Sequence, residues 1–189
     1  MSKNVTILSF SSRTNGNCAN ISNYLSNYYN RTNVYTYTID AETVQPCGKC
    51  DCECLNPDVH CPHLSEEYRT LMDTVCESDL VYFIVPNYCG YPCGNYFAYN
   101  ERSVGYFDLD RSKMNAYMAV PKRFVIVSNT EGFEAAMKQQ TSEEPEILYL
   151  KSGKYKKSSI AGDILESAEA RADLDTFLVK TDLCLAWNA

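Results

Sequence analysis

The sequence predicts a doubly wound α/β domain built on a parallel sheet. Three observations carry this. Short apolar runs alternate with helical patterns; one run, "LVYFIV" (80–85), is apolar on both faces; and 189 residues suit one domain with one core. In such a sheet, ligands bind where loops leave the carboxyl ends of the strands, at the switch in strand order.

"NVTILSF" (4–10) reads as the first strand, rich in branched residues. Cys18, Ile21, Leu25 and Tyr28 then recur at three- and four-residue steps, one face of a helix. "NVYTYTI" (33–39) alternates and belongs near a sheet edge. Beyond a cysteine-rich loop, Leu64, Tyr68, Leu71, Met72 and Val75 mark a second helix, with Ser65 as N-cap and Glu66 and Glu67 in its first turn. "LVYFIV" is the central strand, and Pro86 is expected to end it. "FVIV" (124–127) and "ILYL" (147–150) are two further strands. A helix from about Asp163 to Lys180 follows, carrying Ile164, Leu165, Ala168, Leu174, Phe177 and Leu178. Residues 103–122 show no period and read as a long excursion over the sheet. Without repeats or a linker, the chain is expected to be one domain over 1–189, with a cysteine-rich insertion at about 45–64.

Hydrophobic residues make up 45% and charged residues 22%, the balance of a folded globular chain. A net charge of −7 argues against nucleic acid or an anionic membrane as partner. The first residues lack a cleavage site and no stretch is long enough to span a bilayer, so the expected location is cytoplasmic. Ten cysteines in a reducing compartment read as thiols or ligands rather than disulfides. "KSGKYKK" (151–157) reads as a solvated basic loop.

The loop after the first strand, "SFSSRTNGNCAN", is dense in small donors: Ser9, Ser11, Ser12, Thr14, Asn15 and Asn17, with Arg13 among them. A helix N-terminus offers free amides and partial positive charge, which suits a mononucleotide phosphate. The dinucleotide fingerprint and the P-loop pattern are both absent. An ordinary polar turn, with Asn15 or Asn17 capping the helix, is the competing reading.

"FSSRTNGNCAN" resembles the phosphate loop of the flavodoxin-like NAD(P)H-dependent FMN reductases and iron–sulfur flavoproteins. Ser11, Arg13, Asn15 and Asn17 match its pattern, whereas Phe10 stands in place of glycine, Ser12 in place of proline and Cys18 in place of threonine. "VPNYCGYPCGNYFAYNER" (85–102) is similar to the family's flavin-lining stretch at Pro86, Tyr88, Gly90 and Arg102, with Tyr99 as the aromatic. Val85 and Phe97 depart from it. The resemblance implies a flavodoxin-like three-layer fold with five parallel strands in the order 2-1-3-4-5. It also implies FMN held by Ser9, Ser11, Ser12, Arg13, Asn15, Asn17, Cys18, Pro86, Asn87, Tyr88, Cys89 and Gly90, with Asn129 and Thr130 in the loop after the fourth strand. NAD(P)H would supply hydride, a small molecule or protein would accept electrons, and the protein would be a homodimer or homotetramer. The tyrosines of 88–106 would suit such a contact. No side chain is assigned as catalytic.

"CGKCDCECLNPDVHC" places Cys47, Cys50, Cys52, Cys54 and Cys61 where the iron–sulfur branch carries its ligands. Cys47 and Cys50 keep that branch's spacing, and so do Cys54 and Cys61; the middle interval does not. Four of the five suffice for a 4Fe-4S cluster. His60 and His63 make a mixed zinc site a second reading, and a loop without metal a third. Cys89 and Cys93 read as packing residues or a redox pair, Cys76 and Cys184 as core thiols. Two other functions stay open: an electron carrier without NAD(P)H activity, and a flavin-free thiol or metal sensor on the same scaffold.

Overall fold

Branched and aromatic side chains at 4–9, 33–38, 80–88, 122–127 and 146–150 form the strands β1 (Asn4–Ser9), β2 (Asn33–Thr38), β3 (Leu80–Tyr88), β5 (Lys122–Val127) and β6 (Glu146–Leu150). They pair in parallel in the order β2-β1-β3-β5-β6, and a two-residue strand β4 (Tyr91–Pro92) runs antiparallel to the end of β3. Among the five parallel strands this is the order 2-1-3-4-5 of a flavodoxin-like sheet. The structure, a computed structural model, describes residues 2–48, 50–56 and 59–186. Lys49, Pro57 and Asp58 of the expected insertion, and both ends of the expected 1–189 domain, lie outside them.

Strand β3 organises the core. Leu80, Tyr82 and Ile84 face helices α1 (Asn17–Tyr28) and α6 (Ala168–Cys184), while Val81, Phe83 and Val85 face α2 (Glu66–Cys76), α3 (Gly94–Leu109), α4 (Arg111–Ala119) and α5 (Glu134–Lys138). All six side chains are fully buried, as the sequence run on both faces predicts. β2 is the edge expected from its alternation. Ser65 caps α2 as expected, its hydroxyl accepting from the Tyr68 amide at 3.1 Å.

Three expectations change. Pro86 does not end β3, which runs to Tyr88. The Ile84 carbonyl accepts from the Phe10 amide, so residue 86 faces the same side, where β1 has already ended at Ser9. A proline costs no ladder bond there. Residues 103–119 are helical, broken only at Asp110 between α3 and α4, rather than an excursion. The buried stripe of α3 is Tyr96, Tyr99, Arg102 and Tyr106, at helical steps but made of polar-tipped side chains that hide the period. Each hydroxyl has a partner: Tyr96 donates to the Ala136 carbonyl, Tyr99 to Tyr117 and Tyr106 to Asp73. These tyrosines therefore belong to the core and not to a subunit surface. The last helix splits, with a 3-10 turn at Ile164–Glu166 and α6 starting after the Ser167 cap.

Among the described residues, no helix is long and apolar enough to cross a membrane.

Lys122, 2% exposed at the start of β5, donates to the carbonyls of Tyr117 and Val120 and lies over the Tyr117 ring. Burial holds its ammonium down at about 7, with Cys76 acting in the opposite sense. Above that pH the unfolded chain keeps a proton that the folded chain has lost, so the cost of burying Lys122 shrinks as pH rises towards the ordinary lysine range. Chemical denaturation of the native chain and Lys122→Met from pH 7 towards 10 is expected to show the native chain gaining on the variant, by at most about 1.4 kcal/mol per pH unit. A difference that stays flat would show that the ammonium is not held neutral.

Candidate functional site

The chain runs from β1 through α1 to β2 on one side, then crosses back to β3. A crevice opens at the carboxyl ends of β1 and β3, the switch point of the sheet. Two loops meet there, residues 10–16 and the β3–β4 hairpin. Tyr88 and Tyr91 pair across a two-residue turn in which Cys89 (φ 54°) and Gly90 (φ 85°) both take the left-handed conformation, as a type I′ turn requires. Asn87 braces the hairpin: its Oδ1 accepts from the Gly90 amide at 2.8 Å, and its Nδ2 donates to Ser128 and Thr130. The turn leaves Tyr88 53% and Tyr91 69% exposed at the mouth of the crevice.

Between the loops lies a cavity of about 200 Å³. Ser11, Arg13, Gly16, Asn17 and Cys18 line it from one side, Pro86, Asn87, Tyr88 and Cys89 from the other, with Val127, Ser159 and Ile160 completing the wall. The first helical bond of α1 runs from the Asn20 amide to the Gly16 carbonyl, so the amides of Asn17, Cys18 and Ala19 have no acceptor within the helix. Together with Arg13, which forms no ion pair among the described residues, they make this end of the crevice electropositive. Burial, then the nearby Cys93, push the Cys18 thiol up to about 12. Cys18 therefore stays a protonated, weak donor. Cys93 is turned into the core, donating to the Phe10 carbonyl at 3.1 Å, whereas Cys89 is exposed at the hairpin tip.

Several side chains expected to reach a ligand are instead used to brace loops. Asn17 donates to the carbonyls of Ser158 and Ser159 and accepts from the Ile164 amide. Asn129 holds Ser152 and the Gly153 amide, and Thr130 is tied to Asn87. Ser9 and Ser12 line a neighbouring cavity instead, and the Asn15 side chain is exposed. Phe10 fills the core beneath the loop, packed on Phe83, Tyr96 and Tyr99. Tyr99, expected beside a ring, is fully buried.

The sequence reading missed the strap formed by residues 158–162. Besides its bonds to Asn17, it accepts from Arg13 through the Ile160 carbonyl at 3.2 Å and from Asn20 through the Gly162 carbonyl at 2.6 Å. Three of the four lysines before it are paired, with Glu131, Asp173 and Glu166. The strap's bonds to Arg13, Asn17 and Asn20 span more than 140 residues, so no local pattern announces them; the one signal was glycine at 162. Its φ is 82°, and a Cβ there would stand 2.2 Å from the Asn15 carbonyl oxygen. Gly162→Ala is expected to lift the strap and cost about 1–3 kcal/mol. Hydrogen exchange should show deprotection confined to 158–164 and the first turn of α1, and unchanged exchange there would refute the close packing.

The thiol loop lies against α3. Arg102, 5% exposed, donates to the carbonyls of Gln45 and Pro46 and to the Cys61 sulfur at 3.4 Å; Glu101 accepts from the Cys47 amide. Arg102 therefore holds this loop and does not reach the crevice. Gly105 leaves room for Cys61, whose Cβ would lie 2.7 Å from an added methyl. Cys54 and Cys61 are buried, Cys50 half-buried, and Cys47 and Cys52 exposed. Burial, then the thiols of Cys61, Cys47 and Cys52, raise Cys54 above the usual range. Among the described residues, no three His, Cys, Asp or Glu side chains are arranged to hold one metal ion.

No protein-family model matches the chain, and no curated protein matches it in sequence. Among solved structures, FerB from Paracoccus denitrificans, described as a flavoenzyme NAD(P)H:(acceptor) oxidoreductase, is similar with a TM-score of 0.52 at 12% identity, over 99% of this chain and 97% of its own. The apo form of an NADH:FMN oxidoreductase, EmoB, is similar over 95% of this chain and 90% of its own, with a TM-score of 0.42 at 12% identity. The FerB likeness shows a shared fold over nearly the whole of both chains.

Proposed function

We propose that this protein is an NAD(P)H-dependent flavin oxidoreductase that holds FMN in the switch-point cavity. One observation carries the reading. The cavity joins the open amides of α1 and the unneutralised Arg13 to a hairpin that presents two exposed tyrosines. The activity by which FerB is described is in keeping with it.

The residues present fit the group. The amides of Asn17 and Cys18, the Arg13 guanidinium and the Ser11 hydroxyl would hold the phosphate. Backbone groups of the hairpin would meet the polar edge of the ring, and Tyr88 and Tyr91 would flank its face. When bound, FMN supplies the hydride chemistry. The chain's own part is to bind, orient and shield: Val127 and Ile160 form an apolar wall, and the exposed Arg13–Ile160 contact is weak enough to exchange for an anion. No described side chain in the cavity is placed as an acid or base, and the protonated Cys18 thiol is not a nucleophile.

The finer part of the proposal is the thiol loop as a cluster site. Its support is that the thiols of Cys61, Cys47 and Cys52 each act electrostatically on Cys54, and that the buried Arg102 guanidinium, with no ion pair among the described residues, donates to Cys61 and would offset thiolate charge. The subunit contact of a homodimer or homotetramer would fall on α3 and α4, where Phe97, Val104 and Met114 are exposed.

An absorption spectrum of anaerobically purified protein, with iron assayed on the same sample, tests both parts. Flavin bands with about four irons per chain are expected if the loop holds a cluster. Flavin bands without iron confine the proposal to a flavin reductase with a decorated loop. No flavin, even after FMN is added, removes the proposal. Arg13→Ala is expected to weaken FMN binding about tenfold or more by titration, while riboflavin, which lacks the phosphate, should bind both chains alike.

A further inference from the structure

One edge of the sheet is β2, and that edge is bare. The strand, "NVYTYT", carries no charge and no proline, and its register with β1 is unbroken from Asn33 to Thr38, so it holds no bulge. Native edge strands are usually blunted by one of these devices or covered by another element. Here Asn33, Tyr35, Thr36 and Thr38 are all exposed. The hydrogen bonds to the neighbouring strand fix what the edge offers. The amides of Asn33 and Ile39 donate to the carbonyls of Lys3 and Ser9, on the β1 side. Main-chain groups alternate sides along a strand, so those of Val34, Thr36 and Thr38 point outward. The Thr38 carbonyl accepts from the Thr43 hydroxyl at 3.1 Å and keeps a second lone pair.

The flanking charges name the occupant. Arg31 stands ahead of the strand, Asp40 and Glu42 behind it. Arg31 and Glu42 are exposed and form no ion pair among the described residues. A copy of the same segment laid antiparallel brings Arg31 of each chain to the Asp40–Glu42 turn of the other, whereas a parallel copy sets like charges together. The twofold also limits the register, because the two chains are equivalent only if some residue faces its own counterpart. With Thr36 in that place, the outward groups of Thr36 bond each other and those of Val34 meet Thr38. Tyr35 then falls opposite Tyr37 in the closer, non-hydrogen-bonded pairs, where aromatic side chains add most.

We propose that β2 is a docking edge for a second copy of this chain, joined antiparallel through Val34, Thr36 and Thr38 so that one sheet runs across both copies. The edge is independent of the flavin reading and lies on a different surface from α3 and α4. Sedimentation of the full chain over a concentration series, with amide exchange read residue by residue, tests it. Thr36→Pro removes an outward amide that β1 does not use, and Thr36→Lys sets two ammonium groups face to face. Each is expected to weaken association at least about tenfold; if the proline variant fails to fold, the lysine variant decides. Arg31→Glu should weaken association as well, and adding Glu42→Arg to it should restore it. As concentration rises, the amides of Val34, Thr36 and Thr38 are expected to become protected, while those of Tyr35 and Tyr37 are slow throughout. Met114→Lys, on α4, should leave this association in place. A native chain that stays monomeric at every concentration would overturn the proposal. So would a Thr36→Lys chain that associates like the native one, a double charge reversal that restores nothing, or protection that appears on α3 and α4 but not on β2.

Discussion

The burial of β3 on both faces is the constraint from which the rest follows. A strand with no solvent-facing side must lie inside a sheet covered by helices on both sides. The chain meets this by sending β2 to one edge and returning past β1, and that crossing opens the crevice between the two loops. β3 then outruns its neighbour β1. Its free end carries Pro86 without losing a ladder bond and folds back as the tyrosine hairpin. The same strand supplies the centre of the core and one wall of the site.

Around that frame, polar side chains do most of the long-range joining. Asn17 ties the start of α1 to the strap, Asn87 ties the hairpin to the loop after β5, and Asn129 ties that loop to the segment after β6. Each amide satisfies donors and acceptors that would otherwise be stranded at loop ends. The first-loop and hairpin side chains left for a ligand are chiefly hydroxyls, Arg13 and the two tyrosines at the mouth. Arg102 does the same for the thiol loop, pinning carbonyls and Cys61 against α3.

Much of this was legible beforehand. The strands, the edge position of β2, the Ser65 cap and the two loops at the switch point follow from local patterns of apolar period and turn chemistry. The α3 stripe was not legible, because tyrosines and an arginine break the hydrophobic signal while keeping the helical spacing. Phe10 looked like a defect in a phosphate loop and is a core residue. Asn17 and Asn129 are the right residue types for a ligand site, but their partners are backbone groups far along the chain.

By itself the sequence determined the layered fold and the position of the switch-point crevice, since both depend on short-range periodicity and on strand order. Only the tertiary structure decided which polar side chains remain available there. Hydrogen bonds saturate: an amide held by the strap cannot also hold a phosphate, and nothing near Asn17 in the sequence tells of Ser158 and Ile164.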